Sequence, residues 1–102
     1  MIFEALYDSY KRDELLLISG GYCRWHLRRD GQLTVLEIIS TKSGAGTEML
    51  SFLRAVQGAQ SIFAKCPADL LANEWYRRKG FVCEGEETTK SGRVVKRWRL
   101  QL

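Results

Sequence analysis

Leu33-Thr34-Val35-Leu36-Glu37-Ile38-Ile39-Ser40-Thr41-Lys42-Ser43-Gly44-Ala45-Gly46 passes from an aliphatic run straight into a polar, glycine-containing loop. Residues 33–39 are apolar at both parities, the pattern of a strand buried on both faces and hence central in its sheet. Behind the loop at 40–46, Met49, Phe52, Leu53 and Val56 recur at helical spacing over 47–56, and Gly58 ends that helix. Residues 61–66 read as a further strand. A strand, a helix and a strand in succession imply a parallel pair joined by a right-handed crossover. A central β-α-β unit therefore organises an α/β domain.

Working outward, residues 15–19 and 22–29 read as strands, parted by the turn signal Gly20-Gly21. In the second of these, Cys23, Trp25 and Leu27 face one way and Arg24, His26 and Arg28 the other. Asp30-Gly31 turns the chain into the central strand. Residues 2–12 fit a short helix with Phe3, Leu6, Tyr7 and Tyr10 on one face. Pro67 suits a helix start, and a helix over 68–79 carries Leu71, Ala72 and Trp75 on one face before stopping at Gly80. Residues 81–88 and 93–100 form a final hairpin turned at Ser91-Gly92. The expected order is helix, three strands, helix, strand, helix, two strands. It makes a mixed, mostly antiparallel sheet, split where the strand ending at Ser40 parts from the one ending at Cys66.

With 102 residues, 1–102 is read as a single domain. No apolar run approaches the roughly 20 residues of a membrane span, and no leader pattern opens the sequence, so a cytoplasmic protein is expected. Cys23, Cys66 and Cys83 are odd in number and form no CxxC, which argues against a disulfide framework and a metal site. They are expected to pack as small hydrophobes. The net charge of +4 admits nucleic acid, an acidic partner or an anionic cofactor.

Chemistry enters at the loop. The first N–H groups of a helix lack intrahelical partners and carry partial positive charge. Gly44 and Gly46 let a phosphate come close to that backbone, and Lys42 adds a full charge. The pattern suits the pyrophosphate of a nucleotide-type cofactor. It is neither a Walker A loop nor a GxGxxG fingerprint, and taken alone it leaves an ordinary strand-to-helix turn open.

A second constellation, Asn73-Glu74-Trp75-Tyr76-Arg77-Arg78-Lys79-Gly80-Phe81, lies on the next helix and its exit. Together the two resemble the GNAT superfamily of N-acetyltransferases. There a strand enters an [RQ]xxGx[GA] loop and a helix, then come a strand, a helix ending in a pattern like NxxYxxxGF, and a hairpin. Gly44 and Gly46 match the loop, and Asn73, Tyr76, Gly80 and Phe81 match the second pattern. Thr41 stands where the family has Arg or Gln, and the loop is a residue or two shorter. The N-terminal strand and most of the first two helices of a full-length member have no counterpart. The expected fold is thus GNAT-like and N-terminally truncated, similar to the short GNAT domains of phages and mobile elements, some of which modify host-defence proteins.

The resemblance implies acetyl-CoA as acyl donor, no metal, and transfer to an amine. Such transfer needs a thioester, a deprotonated amine and a proton for the leaving thiolate. By resemblance, the pyrophosphate lies on the amides of Ser43, Gly44, Ala45 and Gly46, with Lys42 and Thr47 adjoining, and the pantetheine arm along Ile38, Ile39 and Ser40. Tyr76 takes the position that faces the sulfur and protonates the thiolate; its alternative is packing alone. Glu37 stands among apolar neighbours, where burial raises a carboxyl toward a useful base, and many members use a glutamate on this strand. The alternative is an ion pair with an arginine of the neighbouring strand, Arg24 or Arg28. Asn73 binds the cofactor arm or caps a helix turn. His26, the only histidine, falls on a wet strand face; Cys66 ends a strand at the site, where an acyl-cysteine relay is the minor reading. Trp25, Trp75 and Trp98 are expected in the core.

Without the N-terminal helices the acceptor pocket is open, which suits a protein acceptor, such as a lysine, and either a monomer or a homodimer. Two rival functions stand beside this one. The first is a GNAT-like binding module without catalysis, and the second is a nucleic-acid modifier or binder using the basic hairpin at 93–99.

Overall fold

The computed structural model describes residues 2–102. The elements follow the expected order: α1 (Ile2–Lys11), β1 (Leu15–Ile18), β2 (Gly21–Leu27), β3 (Gln32–Ser40), α2 (Ala45–Arg54), β4 (Ser61–Pro67), α3 (Ala72–Arg78), β5 (Val82–Thr88) and β6 (Val94–Gln101). The strands form one sheet in the order β1-β2-β3-β4-β6-β5. β3 and β4 are parallel and every other pair is antiparallel. This is the mixed sheet with a β-α-β crossover that the sequence implies.

The feature that positions the site lies in β3. That strand pairs with β2 from Leu27↔Leu33 to Gly21↔Ser40, but with β4 only from Gln32↔Ser61 to Val35↔Ala64. β4 runs on through Lys65, Cys66 and Pro67 with β6 as its partner. The sheet therefore splits beyond Val35. At the same place Arg24 stands opposite Glu37 while Trp25 stands opposite Val35, so Leu36 is the surplus residue of a β-bulge.

The bulge exchanges faces. A strict period of two, counted from Leu33 and Val35, sends Glu37 inward. With Leu36 out of step, Ile38 instead follows Val35 inward beside Cys23, and Glu37 joins Arg24 on the wet face. The expectation that β3 is buried on both faces is corrected accordingly. Leu36 is 49% exposed and Ile39 41%.

The core sits between the sheet and the two helices α2 and α3. Leu33 and Ile62 of the parallel pair, Met49 and Leu53 of α2, and Cys23 are fully buried. Each of the aliphatic side chains contributes about 1.5–3 kcal/mol by leaving water. α2 starts two residues before its predicted limit and turns Met49, Leu50 and Leu53 inward, leaving Phe52 exposed.

Three further expectations shift. α3 begins at Ala72 rather than 68, because Pro67 stays in β4 and the Asn73 amide takes the carbonyls of Pro67 and Leu70, both at 2.8 Å. Its inward pair is Asn73 and Tyr76, and Leu71 is left in solvent. In α1 the inward residues are Ala5, Leu6 and Ser9, whereas Phe3, Tyr7 and Tyr10 face out. Cys83 is exposed; Cys23 and Cys66 pack as expected, and all three are free thiols. Among the described residues no helix is long and apolar enough to cross a membrane, and no cluster suited to a metal ion occurs.

Candidate cofactor and acyl-transfer site

The loop between β3 and α2 is short because it is pinned. Thr41 donates to the Gly20 carbonyl from both its backbone N–H, at 2.7 Å, and its hydroxyl, at 3.1 Å. Ser40 Oγ donates to the Lys42 carbonyl at 3.0 Å. Gly44 caps α2 with φ 85°, a left-handed conformation that favours glycine, and supplies no side-chain cap. A Cβ there meets nothing within 4 Å, so the space before the helix is open. The first-turn N–H groups of Gly46 and Thr47 thus face a gap with no side chain to satisfy them. Lys42 lies across Gly20 and donates from Nζ to Ser19 Oγ at 2.8 Å, tying its charge to the β1–β2 turn at the edge of the loop.

A groove of about 390 Å³ opens from this loop into the split. Ile38, Ser40, Lys42, Ser43, Gly44, Gly46, Thr47 and Tyr76 line it, all expected site residues. Ala72 and Trp75 line it as well, which the sequence reading missed. Gly46 carries the signal for Trp75, since a Cβ on Gly46 comes within 3.2 Å of the indole ring. Ala45 is not in the lining, because it is buried against the core. Ile39, partly exposed, and Asn73 also lie outside the lining.

On the far side of the split is a second concavity of about 170 Å³, lined by Leu36, Glu37, Lys65, Cys66, Pro67 and Leu70 among others. Ile38, Ala72 and Tyr76 line both spaces. The two meet at Tyr76.

The spacing of Tyr76, Gly80 and Phe81 has a physical account. α3 ends in a Schellman motif: the Phe81 N–H donates to the Tyr76 carbonyl and the Gly80 N–H to the Arg77 carbonyl, both at 3.1 Å, with Gly80 at φ 94°. That turn lays Phe81 edge-on to Tyr76 with ring centroids 5.1 Å apart. Trp75 meets the ring edge-on at 5.2 Å and Trp98 stacks on it at 6.1 Å. The phenol is gripped on three sides, yet its hydroxyl takes no partner among the described residues and is not sealed from solvent. Burial, and then the neighbouring thiols of Cys66 and Cys23, push Tyr76 well above the usual phenol range. Tyr76 therefore carries its proton.

Glu37 forms the ion pair that was the alternative reading: Arg24 Nε donates to Glu37 Oε1 at 3.1 Å. Its side chain is 26% exposed, not enclosed by Leu36 and Ile38, because the bulge turns it outward. Partial burial and then a hydrogen bond to Glu37 raise the Tyr22 phenol, which lies on the same face. Asn73 spends its polar atoms within the fold. Besides its two bonds to Pro67 and Leu70, its Oδ1 accepts from Trp98 Nε1 at 2.9 Å. It is a brace joining α3, the β4 exit and β6, and it does not face the groove.

His26 is on the surface, 2.7 Å from a Glu14 carboxylate oxygen. Cys66 is buried at the far mouth, and burial followed by Asp69 raises its thiol. Trp98 is in the core; Trp25 and Trp75 are partly buried. Three arginines of the basic hairpin stand beside carboxylates: Arg93 lies 3.4 Å from Asp69, Arg97 lies 3.8 Å from Glu87, which also pairs with Lys65 at 3.0 Å, and Arg99 lies 2.8 Å from Glu84.

No protein-family model and no curated relative matches the chain. Solved structures match in fold. A Salmonella typhimurium acetyltransferase that modifies the N-terminal serine of ribosomal protein L7/L12 superposes with a TM-score of 0.74 at 13% identity, over 97% of this chain and 70% of its own. A Bacillus subtilis acetyltransferase in complex with CoA gives 0.68 at 16% identity, over 97% and 92%. A Desulfovibrio desulfuricans protein assigned to the GNAT family of acetyltransferases gives 0.68 at 20% identity, over 80% and 60%. The chain thus spans less than two thirds of that last protein's length. At such identities the likeness concerns architecture, and it agrees with the split sheet, the β-α-β crossover and the glycine-capped helix: the chain has the fold of the GNAT acetyltransferases.

Proposed function

We propose that the chain is an acetyl-CoA-dependent N-acetyltransferase whose acceptor is an amine of a protein, a lysine or an N-terminus. The observation that carries this reading is the place of Tyr76, a protonated and unpartnered phenol where the loop-side groove meets the far concavity. Solved neighbours in complex with acetyl-CoA or CoA, and one that acetylates a protein N-terminus, support the donor and the acceptor class.

The donor, when bound, supplies an activated thioester. The open N–H groups before Gly46 and Thr47 suit its pyrophosphate, with Lys42 at the edge and Ser43 and Gly44 giving close backbone approach. The β4-facing edge of Leu36 to Ser40 has no strand partner, so its backbone is open to the amides of a pantetheine arm. Tyr76 then faces the sulfur and gives its proton to the departing thiolate. A phenol held neutral by burial has that proton at every physiological pH, and the same low-dielectric wall makes an unprotonated thiolate costly. The amine arrives from the far side, where Glu37 lines the concavity and receives or orients its proton.

The test is Tyr76→Phe. The ring keeps its three aromatic contacts, so the variant is expected to fold and to bind CoA as the parent does. Transfer to lysine or N-terminal peptides is expected to slow by about 10²- to 10⁴-fold, the usual size of a general-acid contribution. CoA binding by calorimetry separates the enzyme from a non-catalytic module. A parent chain that binds no CoA at millimolar concentration overturns the reading.

A further inference from the structure

α2 and α3 pack against Ile62, Ala64, Trp98 and Leu100. Alternation along β4 and β6 therefore turns Phe63, Lys65, Arg97 and Arg99 to the opposite face of the sheet. On that face the concavity of about 170 Å³ beside Tyr76 runs on into one of about 280 Å³ walled by Thr34, Leu36 and Phe63. Beyond it lies a basin of about 610 Å³ that holds Arg28, Arg97 and Arg99, and Lys65 lines all three spaces. They form one trough that follows the β3–β4 seam. It starts at Tyr76, is walled by Leu36 and Phe63 in its middle and ends among arginines.

Phe63 is 6% exposed, and its cover is two guanidinium groups, Arg97 at 5.3 Å and Arg99 at 5.0 Å from the ring centre. The two differ in what else they hold. Arg99 donates to Glu84, Gln32 and Ser61. Arg28 donates to Asp30 at 2.7 Å, and Lys65 takes Glu87 Oε1 at 3.0 Å. Arg97 is left with that same Glu87 oxygen at 3.8 Å, beyond hydrogen-bond reach, and its buried Nε has no partner among the described residues. Four cations thus share three carboxylates, and the shortfall falls on Arg97. Its side chain is 43% exposed, so the guanidinium fork is open to a ligand.

We propose that Arg97 selects the acceptor polypeptide by pairing with one of its carboxylates, an Asp or Glu about two to four residues from the acetylated amine. The proposal rests on the acyl-transfer reading of Tyr76 and names the acceptor more closely. Continuity of the trough selects the occupant, since its other end is where the amine meets the thioester. Register sets the spacing. From Cys66, at the concavity beside Tyr76, to Phe63, beneath Arg97, β4 advances three residues, which an extended chain covers in about 10 Å. A single amino acid does not reach from one end to the other, whereas an extended peptide does. A carboxylate suits the fork because its two oxygens match paired N–H donors. The wall of Leu36 and Phe63 between the two ends favours an apolar or small residue in the acceptor.

The test is a series of lysine peptides in which a single aspartate is walked outward from the lysine on either side. Each is read by kcat/KM for acetylation and, without acetyl-CoA, by fluorescence anisotropy. Aspartate at about the third position is expected to improve both about five- to tenfold over a neutral peptide. Arg97→Gln is expected to erase that advantage and leave the neutral peptide unaffected. Arg97→Glu is expected to transfer the preference to a peptide with lysine at the same position, a gain that a misfolded variant does not show. Tyr76→Phe is expected to keep the advantage in anisotropy, so a failure of the acyl-transfer reading stays separate from a failure of this one. The proposal is overturned by readouts that ignore the aspartate, or by an advantage that survives Arg97→Glu. Single-stranded RNA that binds more tightly than the acidic peptide and is lost in Arg97→Glu overturns it too, and marks the basin as a nucleic-acid surface instead.

Discussion

Asn73→Ala is the substitution for which the structure gives the most detailed forecast. Three hydrogen bonds disappear: two from the amide to the Pro67 and Leu70 carbonyls and one from the Trp98 indole. They are not equal. The Pro67 carbonyl still accepts from the Leu70 N–H at 3.1 Å, and the Leu70 carbonyl from the Asn73 N–H at 3.3 Å. Each therefore loses only a supplementary bond, about 0.5 kcal/mol. Trp98 is 5% exposed, so its indole N–H is stranded without a partner, at about 2 kcal/mol. The expected loss is about 3 kcal/mol, a large fraction of the stability of a domain this size. It corresponds to a melting temperature lower by roughly 12–24 °C. Urea unfolding followed by tryptophan fluorescence reads it directly. Asn73→Asp keeps the acceptor for Trp98 but sets a carboxylate oxygen against the two carbonyls that the amide served, 2.8 Å away and buried, and is expected to cost at least as much as the alanine variant. CoA affinity per folded molecule is expected to stay constant in both. A loss below about 1 kcal/mol with CoA binding abolished would refute the brace and return Asn73 to the cofactor arm.

Three further outcomes follow from the geometry. Glu37→Gln breaks a pair whose side chains are 20% and 26% exposed, so stability is expected to fall by less than about 1 kcal/mol while amine acetylation slows and CoA binding holds; a loss near 3 kcal/mol in urea unfolding contradicts this. Gly46→Val drives a side chain into Trp75, 3.2 Å from the built Cβ, and is expected to cost about 1–3 kcal/mol and to deform the groove wall enough to lose CoA by calorimetry, whereas Gly44→Ala meets no atom and costs only about 1–2 kcal/mol of backbone strain. The Cys23 thiol is pushed from 9.0 up to about 12 by burial, against a smaller lowering by Arg24, so it stays protonated in the fold where the unfolded chain's thiol ionises. That contribution is complete below pH 9 and declines by about 1.4 kcal/mol per pH unit as pH rises toward 12, with Cys66 and Tyr76, also raised, acting in the same sense. Urea midpoints against pH are expected to fall less steeply in Cys23→Ala, and an identical slope in parent and variant excludes the account.

Much of this was legible from the sequence wherever a local rule and the tertiary structure agree. Asp30-Gly31 and Ser91-Gly92 mark hairpins, and the alternation of Cys23, Trp25 and Leu27 against Arg24, His26 and Arg28 gives the faces of β2. Gly80-Phe81 announces a helix end that sets Phe81 on Tyr76. Where a long-range partner decides, local pattern fails. Nothing in residues 33–39 marks Leu36 as the surplus residue, because the bulge exists only against Arg24 and Trp25 of β2. The start of α3 depends on which carbonyls the Asn73 amide reaches. α1 carries enough apolar residues for two faces, so periodicity alone chose the aromatic stripe over the small-residue face that meets the sheet.

The bulge at Leu36 makes β3 tolerant of an edit that strands ordinarily do not survive. Deleting one residue from a strand flips every later side chain to the opposite face. At Leu36 the extra residue is already out of phase, so its removal leaves Val35 and Ile38 inward and Glu37 outward. What it takes away is the bend and added twist that a bulge imparts. The second half of β3 is then free to run on beside β4, zipping shut the seam that Tyr76 overlooks. Chain length at a single position thus bears on the course of this strand without any change in the chemistry of its side chains.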